Sequence, residues 1–421
     1  MNQPVSKWLR FSVFNLMLVA LLGSVLRYKI AFSLPIIDQK FLLQAHSHFA
    51  FAGWITQSLM TLLVNYLQNR GNEAAFQRYR WILWANVITA YGMLITFPFE
   101  GYAFLSIMFS TLSIFASYVF AFMYWRDLSR LPSRNVSHSW FKSALIFNVI
   151  SSAGPFFLAY MLAARHIHPN PYLASVYFFL HFQYNGWFFF ACMGLFSFEL
   201  LKNGIEEKNL KQIFRLFVTA CVPAYLLSAL WLPIPGWIYV IVVLAVICQI
   251  SGWIILLRLI RGKLSVLKPT VSTLPRRLLV LCAVALSIKL LLQAVSVIPS
   301  LSKLAFGFRP IVIGYLHLVL LGVISLFLII YLIHFQLITI NKSTIRGFIV
   351  FIVGIIINEV LLMIQGVGDL VYVETPFINV YLFIAALILF SGTIIFNSGQ
   401  LRMRGKWDQE LDRPTASLSH E

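Results

Sequence analysis

The stretch AHSHFAFAGW, Ala45 to Trp54, places two histidines one residue apart in front of an almost unbroken apolar run. A histidine inside a membrane span is costly unless its ring has a partner, so such positions carry functional information. Residues two apart on a helix lie about 200° apart around its axis. His46 and His48 are therefore predicted to point to opposite sides of one helix, which could offer an imidazole to each of two neighbouring pockets.

The surrounding chain has the composition of a polytopic membrane protein. Of its 421 residues, 60% are hydrophobic and 16% are aromatic, which leaves too little polar surface for a globular protein in water. A membrane-crossing helix needs about 20 mostly apolar residues. The predicted spans are residues 8–27, 42–67, 80–98, 102–125, 141–164, 172–201, 212–232, 236–258, 275–297, 309–335, 346–367 and 375–398. These twelve spans predict an all-α protein with one transmembrane domain, residues 1–400, and a polar cytoplasmic tail, 401–421.

The basic residues indicate orientation and give no reason to expect a nucleic-acid partner. The formal net charge is +18, but only six of the 32 Lys and Arg residues fall in the loops on one side of the predicted membrane, and Lys289 lies inside a span. The other 25 lie on the side that holds both termini. Because positive charge is retained in the cytoplasm during insertion, both termini are predicted to be cytoplasmic, in a plasma membrane or bacterial inner membrane.

The histidine motif recurs in three places. HFAFAGW begins at His48, HFQYNGW at His181 and HLVLLGV at His317, at intervals of 133 and 136 residues. Each interval holds four spans, so the histidines occupy spans 2, 6 and 10 and the chain reads as three four-helix units. The predicted units cover about residues 1–135, 136–270 and 271–400. Secondary transporters usually carry a twofold repeat, which disfavours that class.

A glycine follows each of these histidines by five residues. Gly53, Gly186 and Gly322 remove side-chain bulk one turn further along, which would let either a flat macrocycle or another helix approach. The remaining histidines are predicted to lie in loops, in the tail or at a cytoplasmic helix end: His138, His166, His168, His334 and His420.

The motif H-x-H-x-x-x-x-G-W, with twelve helices and histidines near the outer ends of helices 2, 6 and 10, resembles the catalytic subunit of heme-copper oxidases and nitric oxide reductases. In that family the doubly liganding helix holds one axial ligand of a low-spin heme and the proximal ligand of a high-spin heme. The resemblance implies heme ligation by four histidines, His46, His48, His181 and His317. It also implies a low-spin heme between His48 and His181.

Two departures from the family limit what the resemblance implies. The family's H-x-H lies on helix 10, whereas here it lies on helix 2, and no adjacent histidine pair is present to complete a copper or non-heme iron site. Under the shifted register, Asn358 and Glu359 of span 11 stand beside His317 as metal ligands. An imidazole with a carboxylate favours iron over copper. Oxidoreductase activity is left open, and four-electron oxygen reduction is predicted to be absent or feeble.

Several functions remain open from the sequence. The resemblance implies respiratory electron transfer, or reduction or sensing of oxygen or nitric oxide, with an electron-donor cytochrome or companion subunit and a small gaseous ligand as partners. The segment is also similar, with fewer matching residues, to the NnrS heme and copper proteins of the nitric oxide response. The alternatives are a non-catalytic heme or nitric oxide response protein and a secondary transporter whose histidines line a substrate or proton path.

Two further ionisable residues lie inside predicted spans, Lys289 in span 9 and Glu359 in span 11. A structural explanation is an internal ion pair between them. A functional explanation is a proton path or a metal ligand.

Overall fold

The structure, a computed structural model, describes residues 3–166, 168–232, 234–298, 300–302 and 308–401. These ranges consist of helices and the loops that join them. They contain no β-strand, which confirms the predicted all-α class. The predicted polar tail beyond Leu401, including His420, lies outside the described residues.

Every predicted span overlaps helical structure. Three helices, which we label α2, α6 and α10, continue through a stretch of wider π-helical turns. The helices are α1 (Gln3–Phe32), α2 (Gln39–Phe49, π-helical Ala50–Thr56, Gln57–Gln68), α3 (Ala75–Glu100), α4 (Phe104–Ser129), α5 (Val136–Ser151, Ala153–Ala163), α6 (Pro169–His181, π-helical Phe182–Phe188, Phe189–Lys202), α7 (Glu207–Cys221, then 3₁₀ turns Pro223–Ala229), α8 (Gly236–Gly262), α9 (Thr273–Val295), α10 (Arg309–His317, π-helical Leu318–Ser325, Leu326–His334), α11 (Lys342–Leu370) and α12 (Ile378–Leu401). A short helix, Leu264–Thr270, lies between α8 and α9.

Side-chain caps fix where several of these helices begin. Asp38 accepts hydrogen bonds from the backbone N–H groups of Lys40 and Phe41 at the start of α2, at 2.8 and 3.0 Å. Asn341 accepts from the N–H of Thr344 at the start of α11. Such caps satisfy backbone donors that the first turn of a helix leaves free.

Nine helices of the described part are long and apolar enough to cross a membrane, namely α1, α3, α4, α5 and α8 to α12. The bent helix α7 with its 3₁₀ turns would make a tenth. The two remaining helices are α2 and α6, which carry the polar residues of the histidine motifs. Their membrane crossing stays a prediction.

Helices α2, α6 and α10 form the centre of the molecule. Every residue from Phe51 to Leu67 of α2 is buried, and so are His181 to Leu195 of α6 and Gly322 to Ile330 of α10. A helix that is buried on all sides can hold polar groups that lipid would not tolerate, because other helices supply the hydrogen-bond partners. This burial explains how α2 and α6 can be less apolar than the outer helices.

The centre is joined by hydrogen bonds between aromatic and hydroxyl side chains. Trp54 Nε1 of α2 donates to Ser325 Oγ of α10 at 2.8 Å, and Trp187 Nε1 of α6 donates to Thr56 Oγ1 of α2 at 3.3 Å. Around it the outer helices pack in sequential pairs, α3 with α4, α7 with α8 and α11 with α12, and α1 packs against α12. The first and last helices therefore meet.

Candidate functional site: the histidines of the central helices

The π-helical turns begin one or two residues after a histidine in all three central helices. They follow His48, His181 and His317. Wider turns leave backbone carbonyls without their usual partners, and such turns are frequent at functional sites. This shared irregularity supports the predicted recurrence at the level of local structure.

Neighbouring helices satisfy the carbonyls of the π-helical turns. In α2, Asn15 Nδ2 donates to the carbonyl of Gly53 at 2.7 Å and Asn86 Nδ2 donates to that of Ala52 at 3.1 Å. In α6, the thiol of Cys221 lies 3.8 Å from the carbonyl of Asn185. In α10, the thiol of Cys282 lies 3.4 Å from the carbonyl of Val323. Two of the four cysteines thus have a hydrogen-bonding role as well as a place in the core.

Two of the glycines that follow the histidines are sites of close helix packing. A Cβ at Gly186 would lie 2.6 Å from Phe147 Cβ of α5, and one at Gly322 would lie 3.3 Å from Ala285 Cβ of α9. A Cβ at Gly53 would instead meet the ring of Phe49 in α2 itself, at 2.6 Å, and the Gly53 carbonyl accepts from Asn15 of α1. Another helix therefore approaches closely at Gly186 and Gly322.

His46 points from α2 toward α1, and Gly23 provides the space for its ring. Its Nδ1 lies 3.1 Å from the carbonyl of Val19, and a Cβ at Gly23 would lie 3.3 Å from its Cε1. A carbonyl oxygen can only accept, so Nδ1 carries the hydrogen and Nε2 keeps its lone pair. This is the tautomer in which a histidine can bind a metal through Nε2 while its other nitrogen is held by the protein.

His317 has the same arrangement on α10. Its Nδ1 donates to the carbonyl of Ile313 at 2.8 Å, which also leaves Nε2 with a free lone pair. His317 is near enough to His46 to act on it electrostatically. Helices α2 and α10 therefore each carry an imidazole whose tautomer is suited to ligation.

Charged residues surround this pair. Arg27 of α1 interacts electrostatically with both histidines, with Glu359 of α11 and with Arg309 at the start of α10. Asn358 Nδ2 donates to Glu359 Oε1 at 3.2 Å. We call His46, His317, Arg27, Arg309 and Glu359 the outer cluster. Arg27 and Arg309 stand at the ends of predicted spans, 8–27 and 309–335, and nothing local to either residue in the sequence indicates its partners.

His48 faces away from His46, as the helix geometry predicted. Its Nδ1 donates to the carbonyl of Gln44 at 2.9 Å, and its ring lies 4.5 Å from that of Phe97 on α3. The hydroxyl of Tyr102 lies 3.4 Å from Nε2. Because Nδ1 of His48 carries the hydrogen, Nε2 accepts and this hydroxyl is the donor.

His181 is buried and uses both ring nitrogens. Nε2 donates to the carbonyl of Cys221 on α7 at 2.8 Å, so Nδ1 is unprotonated and accepts from Asn185 Nδ2 at 3.2 Å. This ring faces α7, whereas that of His48 faces α3. These contacts give no support to the predicted pairing of His48 with His181 around one heme.

Lys289 of α9 is buried with only 5% of its surface exposed and lines a small cavity beside Asn185, Cys221 and Gln249. The cavity has room for about one water molecule. Gln249 Oε1 is buried there without a protein partner. Lys289 takes part in no ion pair with a described residue, and it interacts electrostatically with His181 and Cys221.

The internal ion pair between Lys289 and Glu359, one of the explanations that the sequence left open, is not among the ion pairs of the described residues. Glu359 instead interacts with Arg27 and Asn358. One prediction about the other histidines needs correction. His138 is no loop residue but lies in the first turn of α5, buried, with Nε2 3.1 Å from the hydroxyl of Tyr66.

The predicted second metal set, His317, Asn358 and Glu359, stays a prediction. His317 and Glu359 both belong to the outer cluster, and Asn358 Nδ2 donates to Glu359 Oε1, a bond that leaves the amide oxygen of Asn358, its metal-binding atom, unused. Throughout the described ranges, no three His, Cys, Asp or Glu side chains converge as metal ligands.

No protein-family model matches the chain, and no curated protein matches it in sequence. Its function must therefore be inferred from the residues themselves.

Proposed function

We propose that this chain is a heme-binding integral membrane protein, related in architecture to the catalytic subunit of heme-copper oxidases, that transfers electrons within a respiratory membrane. The observation that carries the proposal is the pair His46 and His317. Both rings donate through Nδ1 to a backbone carbonyl, both keep Nε2 free, and they interact across α2 and α10. These two residues would hold the heme, in place of the pair His48 and His181.

The charges of the outer cluster support an anionic group beside these histidines. Arg27 and Arg309 are like charges that act on one another, and Glu359 is the carboxylate that acts on Arg27. A heme carries two propionate carboxylates, and guanidinium groups bind carboxylates with good geometry. The propionates would offset the remaining positive charge at the outer ends of α1 and α10.

Twelve membrane spans in three four-helix units are part of the proposal. Its support is the recurrence of a histidine followed by π-helical turns in α2, α6 and α10. At its glycine, each of these helices also contacts the helix before it, α1, α5 or α9. Both termini would then be cytoplasmic, with the histidines near the outer face of a plasma membrane, as the distribution of basic residues predicts.

Electron transfer fits the proposed site better than gas reduction. When bound between two imidazoles, heme iron supplies reversible one-electron chemistry and has no open position for a gaseous ligand. The protein's part is to hold both rings by their Nδ1 hydrogen bonds and to exclude water through the buried centre. An electron-donor cytochrome or a companion subunit would complete the path.

The visible spectrum of the purified protein tests the proposal. Cells are grown with a heme precursor, and the purified protein is titrated with hemin to exclude incomplete loading. We expect one heme per chain, a Soret band, sharp reduced α-bands and no shift with carbon monoxide. A protein that binds no heme after titration would contradict the proposal and favour the transporter alternative. A carbon monoxide adduct would indicate an open coordination position and favour a gas-binding function.

A further inference from the structure

The loop between α5 and α6 carries a second pair of histidines, outside the histidine motifs of the central helices. His166 and His168 are both exposed, and their Nε2 atoms lie 2.8 Å apart with the ring planes at 88°. Two imidazole nitrogens therefore meet at one point on the surface. This pair has no role in the proposed heme site.

Backbone hydrogen bonds fix the main chain of both residues next to helix ends. The N–H of His166 donates to the carbonyl of Met161 at 3.1 Å, after Arg165 has turned the chain with a φ of 51°. His168 directly precedes α6, and its carbonyl accepts from the N–H of Tyr172 at 3.1 Å. Pro169 is suited to the first position of that helix. Each histidine is thus anchored to a helix end.

The two nitrogens are close enough to bind one metal ion together. Their 2.8 Å separation is that of a hydrogen bond between the rings. Two imidazoles bound at right angles, with metal–nitrogen bonds of about 2.0–2.1 Å, have their nitrogens about 2.8–3.0 Å apart, and in a tetrahedral zinc site about 3.3–3.4 Å. The smaller rearrangement therefore leads to the right-angled, tetragonal geometry that Cu²⁺ prefers.

We propose that His166 and His168 bind one Cu²⁺ ion through their two Nε2 atoms, with water in the remaining positions. Without metal, one Nε2 carries a hydrogen that it donates to the other Nε2. Copper binding needs both lone pairs, so the donor ring moves its hydrogen to Nδ1 and no proton need leave the protein. Copper also binds nitrogen ligands more tightly than its neighbours in the first transition row.

The test is a titration of the full chain, purified without a polyhistidine tag, with CuCl₂ and separately with ZnCl₂. We expect one Cu²⁺ per chain at this loop, with an axial electron paramagnetic resonance signal that shows coupling to nitrogen from two imidazoles. His166→Ala and His168→Ala should each weaken copper binding about tenfold or more and remove the two-nitrogen pattern. Zn²⁺ should bind at least about tenfold more weakly than Cu²⁺.

Asn170→Ala is the matched control, because Asn170 is exposed just beyond the same loop. Its copper affinity and spectrum should equal those of the unaltered chain. Retention of the same copper signal in the double variant His166→Ala/His168→Ala would overturn the site. Zinc binding as tight as copper at these residues would overturn the tetragonal assignment. Both readouts are independent of whether heme is bound.

Discussion

The outer cluster and the surroundings of His181 each contain a histidine directly before π-helical turns, His317 and His181, yet the two rings are used differently. In the outer cluster, His46 and His317 each donate a hydrogen bond from Nδ1 to a backbone carbonyl, and their Nε2 atoms stay free. Around α6, both nitrogens of His181 are hydrogen-bonded, to Cys221 and to Asn185. The outer cluster also mixes arginines with a carboxylate, whereas Lys289 lies near His181 with no ion-pair partner among the described residues.

The difference shows that position on a repeated helix does not determine what a histidine can do. The hydrogen-bond partner of one ring nitrogen sets the tautomer. The tautomer then decides whether the other ring nitrogen can bind a metal. For His317 that partner is the carbonyl of Ile313 in its own helix, and for His181 it is the carbonyl of Cys221 in α7. Four predictions test this contrast.

The largest expected effect is the loss of heme from the outer cluster. His46→Ala and His317→Ala should each abolish the six-coordinate reduced spectrum, because each removes an axial ligand. His48→Ala and His181→Ala should retain it. The measurement is reduced-minus-oxidised absorption of each variant, with elution as a single species as the check on folding. If His48→Ala and His181→Ala lost the spectrum while His46→Ala kept it, the heme would lie between the pair predicted from sequence.

The second prediction concerns the stability of the α6 region. His181→Ala should lower the free energy of unfolding by about 2–4 kcal/mol, because it leaves the carbonyl of Cys221 and the amide of Asn185 buried without partners. Denaturant unfolding in detergent, followed by circular dichroism, measures the change. His334→Ala, at the half-buried end of α10, is the control and should have little effect. Equal losses of unfolding free energy for both variants would mean that the hydrogen bonds of His181 make no specific contribution to stability.

A third, smaller effect is expected at Lys289. Lys289→Met should raise the free energy of unfolding by about 1–2 kcal/mol, because it removes a buried amine for which the described residues offer no countercharge and keeps the apolar stem. Glu359→Met is the paired variant and should be destabilising, because it leaves Arg27 beside Arg309 without that carboxylate. The thermal unfolding midpoints of both variants measure whether each substitution stabilises or destabilises the protein. A lower midpoint for Lys289→Met would show that the amine has a stabilising partner, such as a water in its cavity.

The smallest expected effect comes from the glycine beside His46. Gly23→Ala places a methyl group 3.3 Å from the ring, which must move by a few tenths of an ångström. The heme α-band and midpoint potential should shift slightly, with a change in unfolding free energy within about 1 kcal/mol. Gly314→Ala on α10 is the matched control, because its methyl would meet Leu362 at an ordinary 3.5 Å. Identical spectra for the two variants would place the heme away from His46.

Local patterns in the sequence determined the class of protein and the orientation of the paired histidines. Apolar run length predicted helices at every position where the structure has long ones, because the cost of polar backbone in lipid depends on local composition. The 100° advance of each helical residue sufficed to place His46 and His48 on opposite sides. The recurrence of the histidine motif likewise anticipated three similar helices, though not that their turns would be π-helical.

Only the tertiary structure decided which partners these residues meet. Arg27 and Glu359 are separated by most of the chain, and no local property of either indicates that α1 and α11 lie close enough for them to interact. For the same reason the sequence could not show whether Lys289 and Glu359 form an ion pair, and packing places Glu359 near Arg27 and Lys289 near His181 and Cys221. The partner of a ring nitrogen or of a buried charge is determined by the helix surfaces that surround it. Those surfaces exist only once the helices have packed.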